Sequence, residues 1–496
     1  MNSVPRHRRL AGGALGLALL LTSVGGVVAQ DATPGATPNV AADATPIGTP
    51  AASPVALALG SMTATRPFLI ADDPGKYAIT PVLTRGDMVG DSQFAGTPDG
   101  MGFYKDGGDV VGFVIHEFTP KEAGSDEGNL SGGRVSRLVM DAKTGAVTSG
   151  SYALKGGENY WDLCSASLAD AANGYSTPTF LSGEETTSSP MGGVVFAVDG
   201  ATSAVTPMPW MGHFHHENEV PVPGFGDKKV VFPTDDNSKA SEVYIYVANN
   251  QADLISGVGQ LYVFKADAAA GTADVQKGKD VAGQFVAIDQ KDNADADSLQ
   301  KAVDAAGAFK FVRAEDSDYN HATPNVIYFA DTGDIAAPNL AADGTPLTKN
   351  GRIYRMTLDP ADPTKVTAFT VMLDGDKGDD IRNPDNVASS IDGKTVMLQE
   401  DLNGYNRKLD GLPGRVLAFD TAGSTLSVVA TLDQSDGPGM TDPDVKAGEW
   451  ESSGIIDVSD IYGPGMWITG VQAHTRATPQ FGGVDEGGQL LLIQQK

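Results

Sequence analysis

One cysteine in 496 residues, Cys164, excludes an internal disulfide framework. The lone thiol is a small buried hydrophobe, an intermolecular linker or a metal ligand. Glu184 and Glu185 follow 20 residues on. Beside these hard carboxylates a soft sulfur could hold a redox-capable or Lewis-acid metal, such as iron. Basic residues are also scarce, at 35 Lys+Arg against 63 Asp+Glu, a formal charge of −28. Without Arg6, Arg8 and Arg9 the count is 32 against 63, or −31. Such a chain will not seek nucleic-acid phosphate or an anionic membrane. It could concentrate Ca²⁺, which takes carboxylate and carbonyl oxygens, or simply present a solvated acidic surface.

Helical patterning is sparse, and 60 Gly with 29 Pro mark a turn-rich β protein. The exception is Lys277–Gly307, whose Ala, Asp and Lys content suggests an inserted loop or short helix. The first 29 residues read as a secretory signal. Arg6, Arg8 and Arg9 open it, Leu10 to Ala29 carries no charge, and Val27 and Ala29 suit a cleavage site before Gln30. Arg8-Arg9 hints at a twin-arginine signal, but the pattern around it is incomplete. The uncharged run could instead serve as an anchor; cleavage predicts a secreted protein with no membrane insertion. Residues 30–56 are a Thr/Pro-rich linker, with Ala-Thr-Pro at 32–34, 36–38 and 44–46. Residues 57–496 form the remaining domain.

A strand unit recurs through that domain. Gly133–Asp141, Gly193–Asp199, Gly259–Asp267, Gly351–Asp359, Gly414–Asp420 and Gly488–Ile493 each begin with Gly, and all but the last end in Asp at a turn. The starts are separated by 60, 66, 92, 63 and 74 residues. Each interval holds one four-stranded blade plus insertions. The expected fold is all-β, a six-bladed β-propeller with loop insertions, with a β-sandwich array as the alternative. The terminal strand is expected to close the ring with an N-terminal strand near Phe113–Ile115 or earlier.

Short acidic motifs interrupt the apolar strands. They are His116-Glu117, Glu217-Asn218, Thr234-Asp235-Asp236, Arg313-Ala314-Glu315-Asp316, Asn383-Pro384-Asp385-Asn386, Glu400-Asp401, Trp450-Glu451 and Gln472-Ala473-His474. Singly, each is an ordinary turn. Several of them, each following a strand in a different blade, would converge on a central channel, and crowded carboxylates repel unless a cation neutralises them. His213, His215, His216 and Glu217 also offer enough ligands for zinc, or they form a polar strand end.

The ordered set resembles the PhoX-type alkaline phosphatases and the wider group of propellers around them. The resemblance runs from His116-Glu117 through Cys164, Leu181–Glu185, Glu217-Asn218, Asp235-Asp236, Arg313 and Glu315 to Asn383–Asn386 and Gln399–Asp401, over about residues 100–405. It implies a secreted phosphomonoesterase, expected to be monomeric, that acts on small phosphate esters with Fe³⁺ and Ca²⁺. Cys164 would ligate iron, with Glu217 and Glu315 in the metal shell. Arg313 would grip the phosphoryl group, with Glu315 beside it in catalysis. Glu117, Glu184, Glu185, Asp235, Asp236, Asp385, Asn386, Glu400 and Asp401 complete the expected metal-binding set. The chain departs from the family between Ser165 and Thr179, at Gly183 where a second cysteine is usual, and in the histidine-rich 213–216 stretch. Those departures keep two alternatives open: a non-catalytic, calcium-stabilised propeller that binds an extracellular partner, and a phytase-like propeller using calcium alone.

Overall fold

Alternating apolar residues bounded by Gly and Asp turns make antiparallel strands, and these strands build a β-propeller. The computed structural model describes residues 61–119, 123–124, 130–289, 295–402, 411–434, 448–474 and 486–496. The chain divides into two units, Met1–Ala56 and Leu57–Lys496. The expected signal and linker lie outside the described residues.

Each blade starts with an inner strand and runs outward. In the first, Pro98–Asp106 is followed by Asp109–His116, Arg134–Asp141 and Val147–Leu154. The second comprises Ala166–Ala169, Thr179–Gly183, Val195–Asp199 and Val205–Met208. The third begins at His216–Val222 and the fourth at Ala314–Tyr319, and Val281–Ala287 joins their outer edges into one sheet. The fifth begins at Pro384–Ser389 and the sixth at Glu451–Asp457. These inner strands neighbour one another in chain order, and the sixth returns to pack on the first. The circuit is a ring, not a sandwich array.

The recurring Gly-to-Asp unit is the third strand of five blades, for example Arg352–Asp359 and Arg415–Asp420. In the third blade it is the fourth strand, Gly259–Ala266. Ring closure uses a strand earlier than Phe113–Ile115. Tyr77–Thr84 pairs antiparallel with Gly487–Gln495, with Ile79 opposite Ile493. The sixth blade is thereby completed by strands from both halves of the chain, while Leu69–Ala71 adds to the fifth.

The apolar faces pack blade against blade. Phe232, Phe264, Phe309, Phe311, Phe329, Tyr354 and Phe369 fill one such layer, with Phe264 and Phe369 edge to face at 5.1 Å. Burying each such ring contributes roughly 1.5–3 kcal/mol. The Lys277–Gly307 stretch holds both a strand and the helix Ala296–Ala306. Asp295 caps that helix on Ser298 N, Gly307 ends it at φ 71°, and Leu299 and Val303 seat it on the core. Among the described residues no helix is long and apolar enough to cross a membrane.

Candidate metal centre and active site

The channel side chains come from two levels of each blade. The first level is the start of the inner strand. Pro98, His216, Ala314 and Pro384 each pair with the last residue of the second strand, and a bulge follows at once. The residue in the bulge is acidic in every case: Asp99, Glu217, Glu315 and Asp385. A bulge adds one residue and re-aims its side chain, here toward the axis. In the sixth blade Glu451 opens the strand and the bulge falls later, at Gly454. Gly454 has φ 59°, and a Cβ there would meet Asp99 O at 2.4 Å. Cys164 precedes the second blade's inner strand and is buried.

The second level is a dyad at the end of each second strand. Successive strand residues face opposite ways, so the dyad divides its work. The first member serves the scaffold. His116 lies between Gly96 O and Ser136 Oγ, each at 2.7 Å. Glu184 accepts from Trp161 N at 3.0 Å and from Gly193 N and Val194 N at 3.2 Å. Asp331 accepts from Val312 N and Arg313 N. Glu400 pairs with Arg382 at 2.9 Å and Arg415 at 2.7 Å. Asp235 faces Glu242. The second member reaches the channel as Glu117, Glu185, Asp236 or Asp401.

Four overlapping groups result, each with its ligand atoms within 4.8 Å of one another: Asp99–Glu117–Cys164, Cys164–Glu185–Glu217, Glu217–Glu315–Asp385 and Asp385–Asp401–Glu451. Seven of the expected ligands therefore belong together: Cys164, Glu117, Glu185, Glu217, Glu315, Asp385 and Asp401. Glu184, Asp235 and Glu400 do not join these groups, because their carboxylates face the scaffold as the first dyad members. Asp236 serves differently, holding Arg313 Nε at 2.8 Å and Nη2 at 2.6 Å. Arg313 Nη2 also pairs with Glu315 Oε1 at 2.8 Å. Asn386 supports Asp99, its Nδ2 donating to Oδ1 at 3.3 Å.

Asp99 and Glu451 complete the groups and were not among the expected ligands. Asp99 has a sequence signal in retrospect. Thr97-Pro98-Asp99 repeats the pattern of Asn383-Pro384-Asp385, and Thr97 and Asn383 both adopt positive φ, 39° and 45°. His474 sits beside Glu451, with Nδ1 2.5 Å from Glu486 Oε2 and Nε2 3.7 Å from Glu451 Oε1. Histidines 213–216 form no zinc site among the described residues. His216 Nδ1 lies 2.9 Å from Glu219 Oε1, and His213 Nδ1 lies 3.0 Å from Gly192 O.

The electrostatics favour either a proton or a cation on these carboxyls. Burial, then mutual repulsion, pushes the carboxyls of Glu185, Glu217 and Asp385 well above the ordinary range. Burial acts against ionised Asp236 too, but the Arg313 guanidinium overcomes it and lowers that carboxyl. The Cys164 thiol is pushed up by burial, then by Glu217 and Asp99, and Sγ lies 3.6 Å from Asp99 Oδ2. Among the described residues neither oxygen of Glu217 has a hydrogen-bond partner, nor does Asp385 Oδ1. Buried carboxylate oxygens without donors cost several kcal/mol unless a cation meets them. The groups thus fit metal ions.

A family model, alkaline phosphatase PhoX, matches residues 154–449. No curated protein matches the chain by sequence. Among solved structures, Pseudomonas fluorescens PhoX in complex with vanadate, a transition state analogue, superposes with a TM-score of 0.63 at 15% identity. That match covers 86% of this chain and 96% of the other. The periplasmic gluconolactonase PpgL of Pseudomonas aeruginosa gives a TM-score of 0.37 at 13% identity, covering 80% of this chain and 86% of its own. The family match spans more than half of the sequence and contains Cys164, Arg313 and most of the channel acids, so this chain belongs to the alkaline phosphatase PhoX family and is a phosphatase.

Proposed function

We propose that this chain hydrolyses phosphate monoesters outside the cytoplasm with iron and calcium in the propeller channel. The observation that carries the reading is Glu217. It is fully buried, neither oxygen has a donor among the described residues, and it belongs to two of the ligand groups at once. The groups containing Cys164 mix sulfur with hard oxygens and suit iron. Glu217–Glu315–Asp385 and Asp385–Asp401–Glu451 offer oxygen alone and suit Ca²⁺. When bound, the cations would supply Lewis acidity to the phosphoryl oxygens and charge for an in-line displacement.

The protein's own side chains prepare that site. Asp236 and Glu315 hold the Arg313 guanidinium through Nε and Nη2, and a cation fixed this way would attract the phosphoryl group. Ser453, Gln472 and Asn386 donate to Asp99 and set its orientation. Gln472 also donates to Glu117 at 2.8 Å, so one amide holds two carboxylates of the Cys164 group. The basic start and uncharged run of residues 1–29 support export of the chain.

Elemental analysis and turnover of a phosphate monoester test the reading together. Purified protein should contain iron and calcium, and vanadate should inhibit it. Cys164→Ala should lose iron and turnover while its far-UV spectrum stays that of the wild type. Calcium without iron, or full activity in Cys164→Ala, would sink the mechanism and leave the calcium-only propeller.

A further inference from the structure

The inner strands begin at the ligand groups and run on to the opposite mouth of the channel, which takes no part in the phosphatase chemistry. A cavity of about 340 Å³ opens there. All six inner strands line it, through Gly102, Leu168, Val220, Tyr319, Ala388 and Ile455. At about 3.3 Å per strand residue, Tyr319 lies roughly 13 Å beyond Glu315. Asn218 and Asp316, bonded to each other and one residue past Glu217 and Glu315, form its floor.

Its rim is acidic on every second blade. Asp170 follows the inner strand of the second blade, Asp318 lies in that of the fourth, and Asp457 ends that of the sixth, with Asp460 just beyond. Around a six-bladed ring these positions stand about a third of a turn apart. Burial works against protonated His321, but Asp318, Asp457 and Asp460 surround it closely enough to raise its pKa. The nearby cations are engaged: His321 Nε2 lies 3.4 Å from Asp318, and Lys105 Nζ donates to Asp460 O at 2.5 Å. Four carboxylates against two cations leave the mouth negative. Among the described residues no three of these acids form a metal-sized group, so one ion cannot bridge them. Between the acids the walls are apolar, with Met101, Leu168, Val220, Val387, Ile391 and Ile455. Ser317 also lines the cavity, and its Oγ is buried with no hydrogen-bond partner among the described residues. A buried hydroxyl left unpaired calls for a partner from a ligand. An anion would be repelled here, and a neutral apolar molecule would strip water from the carboxylates. The walls suit a molecule whose positive charges are separated by an apolar stem.

We propose that this far mouth is a second binding site and that its ligand is a linear polyamine. Its ammonium groups meet the carboxylates of alternate blades, its methylenes lie on the apolar walls, and Ser317 Oγ accepts from an N–H. The site stands apart from the ligand groups and does not depend on the phosphatase reading.

The test is calorimetric titration of spermidine into the metal-replete full chain at physiological salt. Wild type should bind it at one saturable site. The double variant Asp170→Asn, Asp460→Asn should bind about tenfold more weakly, the worth of one or two charge-assisted hydrogen bonds. Asn at 170 still offers an acceptor to Ala172 N, so the double variant should unfold at the wild-type midpoint. Asp460 stands at the exposed rim, so Asp460→Asn alone keeps the fold in any case and should weaken binding about threefold. Asp343→Asn, which neutralises an exposed acid in the loop after Val326–Asp331, should bind as wild type does, and Ca²⁺ at equal ionic strength should not displace the amine. The inference is overturned by wild type that shows no saturable binding, by folded rim variants that bind as wild type does, by an equal loss in Asp343→Asn, or by displacement with Ca²⁺.

Discussion

Stripping the metal should make this protein lose stability as pH rises, in a window set by Asp99 and Asp316. Asp99 is fully buried and accepts from Gln472 Nε2 at 3.0 Å, from Asn386 Nδ2 at 3.3 Å, and from Ser453 Oγ. Burial outweighs these donors and pushes its carboxyl from 3.8 to about 7. Asp316, also buried, accepts from Val387 N at 2.9 Å and Ser317 N at 2.7 Å, and burial again pushes it to about 7. In the unfolded chain both ionise near their ordinary value, about 3.9. Between about pH 4 and pH 7 the folded state therefore holds more protons than the unfolded state, and stability falls with rising pH. The stabilising contribution is complete below the unfolded value and gone above 7. Each group contributes about 1.4 kcal/mol per pH unit. From pH 5 to 7 that is about 2.7 kcal/mol per group and about 5 kcal/mol for the pair, comparable with the whole net stability of many domains. A bound cation reverses the sign for Asp99, because it holds the carboxylate ionised, and leaves only the Asp316 half. Thermal unfolding of chelator-treated and metal-replete protein at pH 5, 6 and 7 reads the difference. The stripped protein's midpoint should fall at least twice as steeply as that of the replete protein, because Glu185, Glu217 and Asp385, likewise raised, add to the Asp99 slope. A flat or rising midpoint in the stripped protein, or equal slopes in both, refutes the reasoning.

The dyad rule predicts opposite phenotypes for adjacent residues. Glu400→Gln should weaken the pairing with Arg382 and Arg415 and cost about 3–5 kcal/mol, read as a lower unfolding midpoint. Asp401→Asn should instead leave the metal-stripped protein's midpoint near wild type and reduce the bound metal found by elemental analysis. Gly183→Ala would place a Cβ 2.3 Å from His216 Cβ and 2.8 Å from Glu219 Oε1, so a urea midpoint lower by about 1–3 kcal/mol is expected.

The strand pattern was legible because a blade's third strand is local: a Gly entry, an apolar run and an Asp turn lie within about ten residues of sequence. The unit shifts to the fourth strand only in the third blade, and the longest interval follows it, carrying Val281–Ala287 and the helix Ala296–Ala306. The channel acids were legible as pairs but not as individuals. Glu184-Glu185 and Glu400-Asp401 read alike in sequence, and which member faces the axis depends on register. The cations that claim Glu400, Arg382 and Arg415, come from other segments. Asp99 escaped because a Pro-Asp-Gly sequence is ordinarily a turn, and only its bulged pairing with the neighbouring strand turns it inward.

Gly183 shows how this chain places Glu217 with no side chain at the neighbouring strand position. The space a side chain at 183 would need is filled by His216 and Glu219, which pair with each other at 2.9 Å, fully buried. On the other side of Glu217, Asn218 accepts from Ser167 Oγ at 2.9 Å and donates to the Asp316 carboxylate of the neighbouring blade. His216 and Asn218 are thus both anchored away from the axis. The bulge between His216 and Glu219 then turns Glu217 into the channel. Gly183→Cys would therefore displace His216 before it added a ligand, and the residue most exposed to that displacement is Glu217.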